Sequence, residues 1–105
     1  MGKKIKAVDA RGYTVTCSGE YWDTHVLVHH PDLAGHEEDA KRAIETKSYI
    51  FSSVSRPDRH IYYGPMRGRR SEIKVVVAFN RQNLGIIVSV SAVSRRPGGE
   101  KIVWT

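Results

Sequence analysis

Histidine is concentrated in one stretch of this 105-residue chain: His25, His29, His30 and His36 lie close together, with His60 the fifth. An imidazole exchanges a proton near neutral pH, which suits a general acid or base. His25 and His29 are four apart, the spacing of a two-histidine metal clamp on a helix. However, Val26 stands where a zincin helix has its Glu, Cys17 is the only cysteine, and the nearest carboxylate, Asp23, precedes His25 by two residues. No metal and no cofactor are therefore expected. A metal-free chemistry uses the same groups. When a ribose 2′-hydroxyl attacks its neighbouring phosphorus, the reaction needs a base, an acid and cations for the phosphorane charge. His25, His30, Arg56, Arg59, His60, Tyr62, Lys74, Ser89 and Ser91 are the residue types that could supply these. Arginine grips phosphate bidentately, and a tyrosine can stack on a base or donate a proton.

The elements that must position these groups can be read from periodicity. Lys4 to Val8 and Tyr13 to Cys17 read as strands around the turn Asp9-Ala10-Arg11-Gly12. Ser18 is the expected cap of a helix from about Glu20 to His30, closed by Pro31. Trp22, Val26 and His29 share one face of it, with His25 beside them. A second helix is predicted from about Gly35 to Thr46, with an apolar stripe of Ala40, Ala43 and Ile44. The period then becomes alternating. Strands are expected over Tyr49 to Val54, His60 to Tyr63, Glu72 to Phe79, Gly85 to Val93 and Lys101 to Trp104. The run from Val75 to Phe79 predicts burial on both sides.

This order predicts an α+β fold: two N-terminal helices packed on one face of a mostly antiparallel four- to five-stranded sheet. The chain is expected to be one domain, with N-terminal strands over 1–18, helices over 19–47 and the sheet over 48–105. Alternation assigns Ile61, Tyr63, Ile73, Val75, Val77, Phe79, Ile86, Val88, Val90 and Ala92 to the helix-covered side. The opposite phase holds His60, Tyr62, Glu72, Lys74, Ser89 and Ser91.

Charge narrows the partner. The net charge is +6, unevenly spread. Residues 1–19 carry four basic and one acidic side chain, residues 20–47 three and seven, and residues 48–105 ten and three. A basic second half beside an acidic helical segment gives a steering field for a polyanion, with Arg69 and Arg70 in a basic loop. No apolar run approaches the length of a membrane span, and the start has neither a secretory nor a myristoylation pattern. The single cysteine fits a reducing, cytoplasmic setting.

Trp22-Asp23-Thr24-His25-Val26-Leu27, closing with His30-Pro31-Asp32-Leu33, resembles a helix found in phage- and mobile-element-associated nuclease-like domains of the barnase–EndoU–colicin–RelE group. Ile44-Glu45 before Tyr49-Ile50, the strand Arg59-His60-Ile61-Tyr62-Tyr63 and the strand Lys74-Val75-Val76-Val77 resemble its later elements. The resemblance implies a metal-independent, toxin-type ribonuclease, RNA as partner, an inhibitor protein, and His25, His30, Arg59 and Tyr62 as site residues. Two departures stand out: Lys47-Ser48 replaces a usual Pro-Asp, and His29 stands where Arg or Lys is frequent. Two other readings use the same chain. A non-catalytic nucleic-acid-binding module would clamp with Arg67, Arg69, Arg70, Arg95 and Arg96 and keep salt-sensitive binding. A protein-interaction domain would pair Lys101 to Trp104 with a partner's strand.

Overall fold

The computed structural model describes residues 3–46 and 49–105, so the Lys47-Ser48 departure lies outside the described residues. The fold is α+β, and the sheet is larger than the predicted four to five strands. Among the described residues seven strands form one sheet: β1 (Lys3–Val8), β2 (Thr14–Ser18), β3 (Ile50–Ser52), β4 (Arg59–Pro65), β5 (Glu72–Phe79), β6 (Leu84–Val93) and β7 (Lys101–Trp104). Their order is β1-β2-β6-β5-β4-β3-β7, all antiparallel except β2 beside β6. The N-terminal hairpin is thus part of the main sheet, joined by the one parallel pairing. Periodicity finds strands; it does not say which strands are neighbours.

The hairpin turn is held by Asp9, whose Oδ1 accepts from the amides of Arg11 (2.9 Å) and Tyr13 (3.0 Å). Gly12 takes φ +90 there, a conformation open chiefly to glycine. The first helical segment covers residues 19–29. The Oγ of Ser18 caps it by accepting from the Tyr21 amide at 3.0 Å, as expected. It is not a regular helix. Gly19–Tyr21 is α, Trp22–Val26 is a π turn closed by the Leu27 amide donating to the Trp22 carbonyl, and Leu27–His29 is α again. His30 then leaves helical angles (φ −138, ψ 74) before Pro31, whose ring disfavours a helical predecessor. A 3-10 turn, Pro31–Leu33, leads to the second helix, Glu37–Glu45.

The second helix buries Ala40, Ala43 and Ile44 as predicted, and Asp39 as well. Asp39 is tied to His36 Nδ1 (2.7 Å) and to the Arg67 amide (3.2 Å), which fastens the helix start to the β4–β5 loop. Burial alone would raise the Asp39 pKa, but the bonds from His36 and Arg67 outweigh it and hold the carboxyl below its ordinary range. The helix packs against β1, β4 and β5 together, so the sheet curls around it.

Cross-strand pairing fixes the faces and corrects two of them. Tyr62 opposes Val75 and His60 opposes Val77, so both lie on the helix-covered side, while Ile61 and Tyr63 face away. In β4 all four residues from Ile61 to Gly64 are buried, so burial gives no alternation to choose between phases. In β6 the register shifts: Val76 opposes Ser89 but Val77 opposes Ile87, leaving Val88 as a bulge. Ile87 and Val90 therefore face the core, and Ile86, expected inside, is 59% exposed. Val75 and Val77 are buried but Val76 and Ala78 only half so, and the second face of β5 is not fully covered. Residues 94–100 cross the sheet from β6 to β7 and cover the end of that face near Tyr63 and Lys74. No described helix is long and apolar enough to cross a membrane.

Candidate active site

His25, His29 and His30 line one cavity of about 200 Å³ together with Ser89 and Val90 of β6. Positions five apart on a regular helix point well away from each other, since about 3.6 residues make a turn. The π turn and the unwinding at His30 remove that conflict. The former widens the turn that carries His25, and the latter lets His30 swing back toward β6. His29, expected to share the buried face of Trp22 and Val26, is exposed.

Tyr21, His25 and His29 form a column. The ring of Tyr21 stacks on His25 at 4.6 Å and 24° between planes, and His25 lies 4.7 Å from His29. His29 Nδ1 sits 2.9 Å from the His25 carbonyl oxygen, so that nitrogen carries the proton and donates. Nε2 of His29 is then its free lone-pair position in the neutral ring. Tyr21 also ties the column to the sheet, because its hydroxyl donates to the Val88 carbonyl at 2.8 Å. Val88 is the bulge residue and Ser89 follows it. The tyrosine therefore sets the distance between the His25 helix and the Ser89 strand. The sequence alone does not single out Tyr21, and it offers His29 only as half of a metal clamp. The four-residue spacing of Tyr21, His25 and His29 was the available signal.

Arg59 lies on the open face of β4, opposite Ala78. Among the described residues it has no ion-pair partner, and its Nε is buried without a hydrogen bond. Its charge is felt at Tyr21. Burial raises the pKa of that phenol, the nearby Cys17 raises it further, and Arg59 partly offsets both. Cys17 itself is pushed up to about 11 by burial and stays a thiol at neutral pH.

Other expected site residues are engaged elsewhere. Tyr62 is buried in the core, where its hydroxyl donates to Asp9 Oδ2 at 2.8 Å. Burial, with the Asp9 carboxylate beside it, drives its pKa far above the ordinary phenol value, so it is no proton donor to a bound substrate. His60 is on the same covered side, bonded to Arg11 Nη1 at 3.0 Å. Alternation along β4 alone predicts the open face for both, and pairing with Val75 and Val77 turns them inward. Lys74 is on the open face but pairs with Glu100 at 3.1 Å, beneath the crossing segment, and Ser91 opposes it there. Arg69 contacts Asp32 at 3.4 Å, while Arg70 and Arg56 are exposed in loops. Of the arginines a binding clamp would use, Arg67 contacts Asp39 at 3.4 Å and Arg96 grips Glu72 bidentately at 2.8 and 2.9 Å. The structure thus unites His25, His30 and Ser89, leaves Arg59 on the same open face but outside their cavity, and sets Tyr62, His60 and Lys74 apart from them.

Among the described residues no group of three His, Cys, Asp or Glu side chains is placed to hold a metal ion. Comparison of the chain with protein-family models, with curated proteins and with solved structures found no match.

Proposed function

We propose that this protein is a metal-independent endoribonuclease of the toxin type, cutting RNA by attack of a 2′-hydroxyl on the adjacent phosphorus. The carrying observation is the shared cavity of His25, His30 and Ser89. Outside it, on the same open face, Arg59 is a half-buried cation lacking a counter-ion among the described residues. An isolated charge is costly to bury, so a site that keeps one is suited to an anion that supplies the missing partner.

In this reading the two imidazoles divide the proton transfers. One takes the proton of the 2′-hydroxyl as the O2′–P bond forms; the other, protonated, gives its proton to O5′ as the P–O5′ bond breaks. Ser89 donates to a non-bridging oxygen and Arg59 offsets the charge of the phosphorane. Tyr21 holds His25 against β6, and His29 holds the His25 carbonyl. The products are a 2′,3′-cyclic phosphate and a 5′-hydroxyl. The resemblance of residues 22–33 to the nuclease-like helix supports the same assignment for His25 and His30. A nuclease of this kind works in the cytoplasm, where its RNA is, and is kept in check there by an inhibitor protein.

The test is incubation of the purified protein with a mixed RNA pool in excess chelator, followed by end-group analysis. Cyclic phosphate ends that disappear in His25→Ala are the expected result. RNA that is bound but left intact would replace this reading with a non-catalytic nucleic-acid-binding module.

A further inference from the structure

The parallel pairing of β2 with β6 covers only Thr14 to Thr16 against Leu84 to Ile86. Beyond it the strands part, because β2 gives way to a helix at Ser18 and β6 bulges at Val88. The fork holds a half-open cavity of about 270 Å³ beside the site. That volume lies just below the usual range for a drug-sized ligand and suits one ring system. We propose that this fork is a nucleobase subsite, which holds the base of a single-stranded RNA nucleotide next to the histidine cavity.

Ile86 and Val88 supply apolar walls and Tyr21 closes one end. Ile86 stays 59% exposed, an apolar surface that a flat base would cover. Hydroxyls sit among these walls. Ser18 Oγ accepts from the Tyr21 amide, which leaves its proton free to donate, and Thr16 Oγ1 has no side-chain bond among the described residues. These groups can bond the edge of a base.

Charge and continuity select the occupant. Cross-strand pairs place Lys6, Thr16, Ile86, Ala78 and Arg59 in one row across the open face. The row is apolar at its centre and cationic at both ends, and neither cation has a carboxylate partner among the described residues. That pattern matches a strand with bases to bury and phosphates on either side. Tyr21 is shared: it walls the fork and stacks on His25, while Val88 of the fork adjoins Ser89 of the histidine cavity. A base in the fork therefore brings its own backbone to the imidazoles.

The assignment rests on the ribonuclease reading for its choice of RNA, but base binding can be measured without cleavage. The probes are two fluorescent hexanucleotides, both with 2′-methoxy groups throughout and one lacking all its bases. Anisotropy titration of the full-length protein should give about five- to hundredfold tighter binding of the base-bearing chain. Ile86→Ser should remove most of that difference, while Val54→Ser, at a remote exposed site, should leave it intact. Equal binding of the two chains, no binding of either, or a difference that survives in Ile86→Ser would overturn the subsite. Cleavage of ordinary RNA is scored separately. Histidine-dependent cutting without base preference would leave the ribonuclease reading standing and end this one. Base-dependent binding without cutting would do the reverse.

Discussion

Nη1 of Arg11 lies 3.0 Å from Nδ1 of His60. A guanidinium can only donate, so His60 must accept and is neutral in this fold, with its proton on Nε2. Burial lowers the His60 pKa first, and the Arg11 charge lowers it further, against smaller opposing effects of Asp9 and Asp58. The unfolded chain, with an ordinary histidine, then binds more protons than the native one below about pH 6.5. Stability from this contact is fully present above that pH and is lost as pH falls through the lowered native value. Thermal melts across pH 7.5 to 5 should show Tm falling in wild type and falling less in His60→Gln. Equal slopes would contradict the assignment.

Asp9 is the hub beneath that contact. Its side chain is fully buried and accepts from Arg11 Nε and Nη2, from the Tyr62 hydroxyl and from two amides. Burial works to raise its pKa, but these bonds outweigh it and hold the carboxyl below the ordinary value. Removing one partner of a buried pair strands the other, so Asp9→Ala should cost about 3–5 kcal/mol in denaturant unfolding. Tyr62→Phe removes the bond to the Asp9 carboxylate and a longer one accepted from Arg11 Nη2 (3.3 Å), and should cost about 1.5–3 kcal/mol.

Arg59 should behave in the opposite way. With no carboxylate partner among the described residues, its charge contributes little to the fold, and its stem can be replaced by an apolar chain of similar length. Arg59→Met should leave Tm unchanged or raise it while lowering RNA cleavage about 10²- to 10³-fold. A variant that lost stability and activity in parallel would make Arg59 structural.

Gly64 is where β4 meets the second helix. A Cβ built there would lie 2.9 Å from Cβ and 3.0 Å from Cα of Ala43. Backbone cannot yield as a flexible side chain can, so Gly64→Ala should cost about 1–3 kcal/mol through overpacking. Unfolding free energies near wild type would mean that the helix can shift outward.

The elements were legible because local patterns set them. The Ser18 cap, the stop at Pro31, the Ala40/Ala43/Ile44 stripe and the full extent of β5 all follow from short-range chemistry. What escaped is non-local. Nothing in Tyr13 to Cys17 announces that this strand will pair in parallel with β6, and the Val88 bulge inverts half of that strand without a glycine to mark it. His25 and His30 were legible as candidates, whereas their convergence depends on a π turn with no obvious residue signature. Tyr62 and His60 were misplaced because the partners that claim them, Asp9 and Arg11, are about fifty residues earlier in the chain.

The most direct measurement is the single-turnover rate of RNA cleavage in excess chelator, compared across four variants. His25→Ala and His30→Ala should each slow formation of the 2′,3′-cyclic phosphate about 10²- to 10⁴-fold, while Tyr62→Phe and His60→Gln, assayed at pH 7.5, stay within a few-fold of wild type. Full activity in His25→Ala, or activity abolished in the folded Tyr62→Phe protein, would contradict the account.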